Sequence, residues 1–504
     1  MRTLHRCALA CAALVLLTTV CQLVLETPYW PWNGARLMLP FALARGVNYY
    51  VLLSRGGPLY NTIYGPMVAI VYLPATLFRT PNGAVLAGAV ITVALCFSAV
   101  AFLHFAPLKR ERSMVDVLAF LTAGFLMCFL EPLRYSCFTI HADAPGLALG
   151  AVACGALYAG WVDKWRIALP ASALCAVLSV FCKQMFLPVP IVLLVWVLAV
   201  RGRKAAGRYL LWLAAAGGLA TAAMVSAWGV DPVYHSLIWM PAHQPWKASH
   251  VEGLIRSAQL FIRLSSPAPM LVLACAIYCL GSGPMGGGRW RTLLTNRCAP
   301  TLLVGIALLP FSILGYAKVG SDVNGFSYAL FFLTCGVTIM LADLWHGGDT
   351  APARRLALSV LVATALLAAG SAAPLAPDDI RGIRSNAMGL SHSDQEVAFA
   401  YLKRHPGEAY FPWLPLAHLE AEGQFRHFVW GLADRWLAGE TVSQAEFRAY
   451  IPRNPRVIAF ASASGPLSGP MAGGYDLMKY LPEYSRSIND PELPGWVLYA
   501  KRVQ

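Results

Sequence analysis

Long unbroken apolar runs constrain this chain more than any other feature. Stretches such as 84–106, 144–162, 209–228 and 325–343 are rich in Leu, Ala and Val, and they approach or exceed the ~18 residues that cross a bilayer's hydrocarbon core. Their apolar positions are continuous rather than alternating, so they read as helices. A helix satisfies its own backbone hydrogen bonds in lipid, where water cannot. Further runs at 7–25, 115–130, 168–182, 186–200, 266–281, 299–316 and 356–373 bring the expectation to about eleven transmembrane helices. Only 13% of the residues are charged and 58% are hydrophobic, where a soluble domain carries about 25% charged residues. The expected fold class is therefore mostly α: a polytopic membrane protein with a long first extracytoplasmic loop carrying juxtamembrane helices.

The formal net charge of +14 would suggest nucleic acid in a soluble protein. Here the basic residues sit in short loops between apolar runs: Lys109, Arg110 and Arg112; Lys164 and Arg166; Arg201, Arg203, Lys204 and Arg208; Arg289, Arg291 and Arg297; Arg354 and Arg355. With Arg2 and Arg6 they define one face, which the positive-inside rule makes cytoplasmic. Membrane lipids, not nucleic acid, are the expected neighbours. The N-terminus is then inside, and the chain lies in the cell's inner membrane with its C-terminal segment outside. Segment 61–79 is apolar enough to matter. If it spanned, every later basic loop would face outward, so it reads as re-entrant or interface-lying. The first 25 residues have the basic start and apolar core of a signal peptide, but no clear cleavage site follows, and they read as the first span. The 13 cysteines lie in or beside apolar runs and contain no CxxC pair. They read as small hydrophobes, with neither a zinc site nor structural disulfides.

From about residue 374 the composition changes and charge returns. Helical periodicity appears at 394–404 and around 442–451, and short β-like runs at 408–411, 456–461 and 496–500. The sequence thus divides into a transmembrane domain, 1–373, and a small extracytoplasmic α/β domain, 374–504. GSGPMGGGR (281–289) follows no strand and opens no helix, so it is not a phosphate-binding fingerprint.

The expected outer face gathers the candidate site residues. Glu26 stands just after the first span and opens a loop containing Arg36, Arg45 and Arg55 and the stretch PLYNTIYGP, with Tyr60, Asn61 and Tyr64. Trp30, Trp32, Tyr49 and Tyr50 read equally well as an aromatic belt at the interface. A carboxylate beside anionic lipid is unfavourable unless a partner or a task holds it. The second outer loop, EPLRYSCFTIHADAPG, brings Arg134, His141 and Asp143 to the same face. Asp143 also suits a helix N-cap, with Pro145 in the first turn. Lys183 and Gln184 lie between two apolar runs, where a lysine either snorkels or holds a phosphate. Lys318, Asp322 and Asn324 occupy another outer loop, and ionisable residues gathered on one side of a membrane protein point to a site. The stretch 235–250, with three His and two Trp, reads as an acceptor-side element or as interface anchoring.

On these residues the chain resembles the GT-C class of integral-membrane glycosyltransferases, which includes the protein mannosyltransferases and the aminoarabinose transferases of lipid A. The resemblance rests on an acidic residue after the first span (Glu26), the first-loop stretch PLYNTIYGP, the spacing from Arg134 to Asp143 ahead of an apolar helix, and an outer C-terminal domain. Two departures matter. The acidic residue is usually Asp, and relatives often carry Lys-Pro-Pro where this chain has Tyr64-Gly65-Pro66. The resemblance implies a polyprenyl-phosphate-sugar donor and a glycan, lipid or protein acceptor, with inversion at the anomeric carbon. It makes Glu26 the general base, with Asp143 sharing that role or orienting the acceptor. Arg55, Arg134 and Lys183 would meet the leaving phosphate, and Tyr60, Asn61, Tyr64, His141, Gln184, Lys318 and Asn324 would line the donor and substrate site. Some members of the class use a divalent metal; no ligand spacing here demands one, and no metal ligands are assigned. A transporter or flippase of lipid-linked sugars and a non-catalytic assembly subunit remain as alternatives.

Overall fold

The structure is a computed structural model and describes residues 2–52, 57, 62–106, 113–163, 167–265, 294–347, 354–355, 357–364, 376–427, 429–461, 477–487 and 490–502. In chain order its first helices are α1 (Arg2–Glu26), α2 (Pro31–Arg36), α3 (Met38–Ala44), α4 (Met67–Val71), α5 (Pro81–Phe105), α6 (Met114–Phe129), α7 (Glu131–Phe138), α8 (Asp143–Asp163), α9 (Ala168–Val180), α10 (Pro188–Arg201) and α11 (Arg203–Trp228). After these come α12 (Val230–Tyr234), α13 (Met240–His243), α14 (His250–Leu264), α15 (Ala299–Ala317), α16 (Ser327–Gly347) and α17 (Ala376–Gly389). The last helices are α18 (Asp394–Arg404), α19 (Pro415–Glu422), α20 (Val429–Leu437) and α21 (Gln444–Arg448).

Among the described residues, 6 helices are long and apolar enough to cross a membrane. The pair α6 and α7, bent by 93°, makes a seventh if it is one broken span. The protein is thus a multi-pass membrane protein. The run expected at 266–281 lies outside the described residues and that at 356–373 lies only partly within them. Among its described residues, segment 61–79 holds α4 and a short 3-10 turn, Leu73–Leu77, neither long enough to span.

The chain forms two compact units, neither contiguous in sequence. The first comprises Met1–Leu23, Thr92–Ala223 and Trp246–Ile383. Its helices start where the sequence places caps. Ser113 and Asp116 form a reciprocal capping box at the head of α6, and Pro188 opens α10. Lipid tails are as apolar as leucine, so helices here associate through close packing rather than a hydrophobic drive. α15 and α16 meet reciprocally: Gly305 of α15 faces Leu333, and Gly336 of α16 faces Leu302. Nearly all of the α16 span is buried, which makes it the axis of this unit.

The second unit comprises Val24–Ile91, Met224–Pro245 and Arg384–Gln504. A linear cut at 373/374 therefore misses part of it, because the long first loop and the segment after α11 fold with the C-terminal region. Trp32 meets Trp413 edge-on at 6.2 Å. Asn82 donates to Leu390 O at 2.6 Å and accepts from Ser393 Oγ at 2.9 Å. Strands β1 (Ala409–Tyr410), β2 (Val457–Phe460), β3 (Tyr484–Ser487) and β4 (Val497–Lys501) form one sheet in the order β1-β2-β4-β3. β1 pairs parallel with β2 and the other pairs are antiparallel. Tyr401, Phe411, Leu414, Phe447 and Ile458 fill the core beside it.

Candidate functional site

The carboxylate of Asp143 is fully buried at the head of α8 and is the centre of a polar cluster in the first unit. Lys183 Nζ donates to Oδ1 at 3.0 Å. Oδ2 accepts from Asn324 Nδ2 at 2.7 Å and Ser136 Oγ at 3.1 Å, and lies 2.7 Å from His141 Nδ1. At that separation a proton lies between the two atoms, because two lone pairs would repel. The Asp143 backbone N–H is directed at the same nitrogen, at 3.2 Å. Asp143 is therefore not the simple helix cap that its position suggested, since its carboxylate is taken up by side chains from other segments.

Local structure aims these donors. Lys183 has extended backbone, φ −157° and ψ 129°, between the end of α9 and the 3-10 turn Gln184–Phe186. Asp322 caps the turn Val323–Phe326 through Val323 N at 2.7 Å, which brings Asn324 inward. Ser327 Oγ donates to Asn324 O at 2.6 Å and lies 2.8 Å from Ser136 Oγ, whose single proton is shared between Ser327 and Asp143. Removing a carboxylate and an ammonium from water costs several kcal/mol per ion. The arrangement offsets this with one opposite charge and further hydrogen bonds on the remaining lone pairs. Lys183 Nζ also lies 5.1 Å from the ring centroid of Tyr328, within cation–π range.

Three of the loops singled out in the sequence thus meet here, through His141 and Asp143, Lys183, and Asn324. Arg134 is exposed on α7 and is not one of Asp143's partners. Gln184 is half-buried in the turn after Lys183. Lys318 is half-buried at the end of α15, where it bridges Trp246; burial holds its ammonium below the usual lysine value. Beside it Lys247 Nζ sits 3.4 Å from the Tyr316 ring centroid and donates to Ser321 O at 3.0 Å. At the other end of the α15–α16 pair, Arg297 clamps Asp343 at 2.9 and 3.2 Å and donates to His104 O at 2.7 Å.

Glu26 belongs to the second unit. It is half-buried, ends α1 and precedes the 3-10 turn Thr27–Tyr29. Asn33 Nδ2 donates to Thr27 O at 2.9 Å and Tyr29 Oη to Asn386 O at 3.1 Å, so the chain leaving Glu26 is fastened to its own unit. Tyr64 is half-buried and its carbonyl accepts from Tyr50 Oη at 2.6 Å. Arg55, Tyr60 and Asn61 lie outside the described residues.

Sequence reasoning missed several residues. Ser136 and Ser327 carry no signal of their own; only the fold brings them together. In the second unit the fully buried Arg435 donates to Glu440 at 3.0 Å and to Val51 O at 2.5 Å, and Glu440 meets His235 Nε2 at 2.5 Å. This chain of contacts ties together the three segments that make up the unit. No cluster of three or more His, Cys, Asp or Glu is placed to hold a metal ion among the described residues. The carboxylate of Asp143 is already engaged by a cation and three other donors, so the residues around it do not form a metal's ligand set.

The helices and the small sheet define a mostly α polytopic membrane protein with a small α/β region. The particular likeness is to the crystal structure of ArnT from Cupriavidus metallidurans, an aminoarabinose transferase, bound to undecaprenyl phosphate. The two are 12% identical, the match covers 97% of this chain and 96% of that one, and the TM-score is 0.53. Against the apo state of the same enzyme the identity is 14%, the coverage 97% and 98%, and the TM-score 0.48. At this identity the likeness is one of fold. No protein-family model matches the sequence, and neither does any curated protein.

Proposed function

We propose that the chain is an inverting glycosyltransferase that moves a sugar from a polyprenyl-phosphate donor to an acceptor hydroxyl at the extracytoplasmic face of the inner membrane. The observation that carries this reading is the fold likeness, over nearly the whole of both chains, to an enzyme bound to undecaprenyl phosphate. The first loop, residues 224–245 and the C-terminal region share one compact unit, which fits their common assignment to the outer side.

The residues divide the work. Glu26 takes the proton of the acceptor hydroxyl as its oxygen attacks the anomeric carbon. The bond from that carbon to the phosphate oxygen breaks, and its electron pair leaves with the lipid phosphate. Lys183 neutralises the charge that develops there. Asp143 holds Lys183 in place rather than acting as the base, since its carboxylate oxygens are already hydrogen-bonded. No step is routed through a metal.

The test is sugar transfer from a panel of labelled polyprenyl-phosphate sugars in membranes, comparing the native chain with Glu26→Gln. Gln keeps the size and polarity of Glu26 but cannot take the proton. Transfer by the native chain, lost in the variant at equal protein level, supports the reading. Transfer that persists in the variant moves the base elsewhere. Movement of intact lipid-linked sugar across the membrane without transfer replaces the enzyme with a transporter.

A further inference from the structure

We propose that Arg45, Arg79 and Lys403 form a binding site for the phosphate of an anionic lipid headgroup, at the membrane surface where α5 begins. The three cations belong to the second unit. Arg45 follows α3, Arg79 stands between the turn Leu73–Leu77 and α5, and Lys403 lies in the last turn of α18. They gather around one carboxyl, that of Glu420 on α19, whose side chain is only 4% exposed. Burial pushes this carboxyl up, and the charges of Arg45, Arg79 and Lys403 all pull it back. Even the nearest of them does not close on it: Arg45 Nη2 is 3.9 Å from Glu420 Oε1, beyond hydrogen-bond length. The Arg45 guanidinium lies over the rings of Phe41 and Phe425, at 6.0 and 5.8 Å from their centroids, and Lys403 Nζ lies 5.4 Å from that of Phe399. Such contacts steady a cation without giving its N–H donors an oxygen acceptor. Whichever form Glu420 takes, three cations face at most one negative charge, and the cluster of four side chains keeps a positive excess.

Chain connectivity puts this excess at the membrane. α5, Pro81–Phe105, is one of the helices long and apolar enough to cross, and Arg79 stands just ahead of it. Leu77 is 78% exposed and Phe78 48% exposed. Large apolar side chains so exposed, directly ahead of a span, belong at the boundary between headgroups and acyl chains. An arginine beside them reaches the headgroups. The head of α5 is fastened to α18, since Asn82 N donates to Glu396 Oε1 at 3.2 Å and the Asn82 amide bonds Leu390 O and Ser393 Oγ. Lys403 lies two helical turns beyond Glu396 on α18 and so shares its face. The ligand that uses every part of this surface is a lipid phosphodiester. Its acyl chains lie against Leu77 and Phe78, and its phosphate meets the planar N–H forks of the two arginines. A small soluble anion would use the cations and leave the apolar pair unexplained.

A basic residue close to anionic lipid strengthens binding by about fivefold. In the experiment the full chain, purified in neutral detergent, is titrated with phosphatidylglycerol or phosphatidylcholine, and the first lipid bound is followed by native mass spectrometry. The native chain should take phosphatidylglycerol more tightly than phosphatidylcholine, by about tenfold or more. Arg45→Gln and Arg79→Gln should each lose about fivefold in phosphatidylglycerol affinity, with phosphatidylcholine unmoved. Glu420→Gln, which removes a rival for the cations, should lose none. Equal affinity of the native chain for the two lipids overturns the proposal, as does phosphatidylglycerol binding that neither arginine variant weakens. A loss in Glu420→Gln as large as in the arginine variants overturns it too, because an anion gains nothing from that carboxyl. Displacement of phosphatidylglycerol by an equal concentration of inorganic phosphate replaces the lipid with a free anion. Arg79 is exposed, so Arg79→Gln decides if Arg45→Gln does not extract as folded protein.

Discussion

Replacing Lys183 by Met removes the cation from a buried pair while keeping most of the apolar stem of the side chain. Asp143 then keeps His141, Asn324 and Ser136 but loses the ammonium at 3.0 Å. Removing one partner of a buried pair typically costs about 3–5 kcal/mol. The three remaining donors on Oδ2 relieve part of this, which places the expected loss at about 2–4 kcal/mol, given that a hydrogen bond to a charged group is worth about 1.5–3 kcal/mol. The double variant Asp143→Asn/Lys183→Met removes both charges, so it should lose less than the sum of the single variants. A coupling of about 2 kcal/mol or more is expected for residues in direct contact within one network. The assay is the denaturation midpoint of purified protein in a detergent titration, for the native chain, both single variants and the double. Additive losses, with no coupling, would refute the view that Asp143 is held buried by Lys183.

Three further predictions concern other parts of the molecule. Arg435→Met should destabilise the second unit by about 3 kcal/mol or more, the scale of breaking a buried ion pair, and should speed hydrogen exchange around Val51, whose carbonyl the guanidinium holds. Gly146→Ala places a methyl 2.2 Å from the buried Phe186 ring, so a loss of about 1–3 kcal/mol is expected from overpacking, read as a lower melting temperature. Burial pushes the Asp434 carboxyl up to about 7. The folded value lies above the unfolded one, so the folded state binds the extra proton and stability falls as pH rises from about 4 to about 7. Asp434→Asn should flatten that loss, measured as the difference in melting temperature between pH 5 and pH 8.

Much of this was legible in the sequence because lipid leaves few options. Runs such as 84–106 and 299–316 had to be helices, and they are. The face assignment drawn from basic loops also brought His141, Asp143, Lys183 and Asn324 to one side, where the structure joins them. Strand periodicity at 408–411, 456–461 and 496–500 located β1, β2 and β4. β3, with the sequence YSRS, is half exposed and nearly all polar, so no apolar alternation marked it. The non-contiguous second unit was also hidden. Its cohesion depends on contacts such as Arg435 to Val51 O, between residues hundreds of positions apart, and local periodicity carries no trace of these. Ser136 stayed invisible for the same reason: a serine in a short helix acquires meaning only once Asp143 is folded against it.

The most direct experiment follows the donor rather than the unknown acceptor. Purified protein would be reconstituted into liposomes with a labelled polyprenyl-phosphate sugar and a membrane extract supplying acceptors, and the lipid product measured. Glycosyl transfer predicts that free polyprenyl phosphate accumulates in step with label on a new product, and that Glu26→Gln abolishes both. If the label stays on its lipid phosphate while the lipid changes leaflet, the protein is a carrier of lipid-linked sugar and not a transferase.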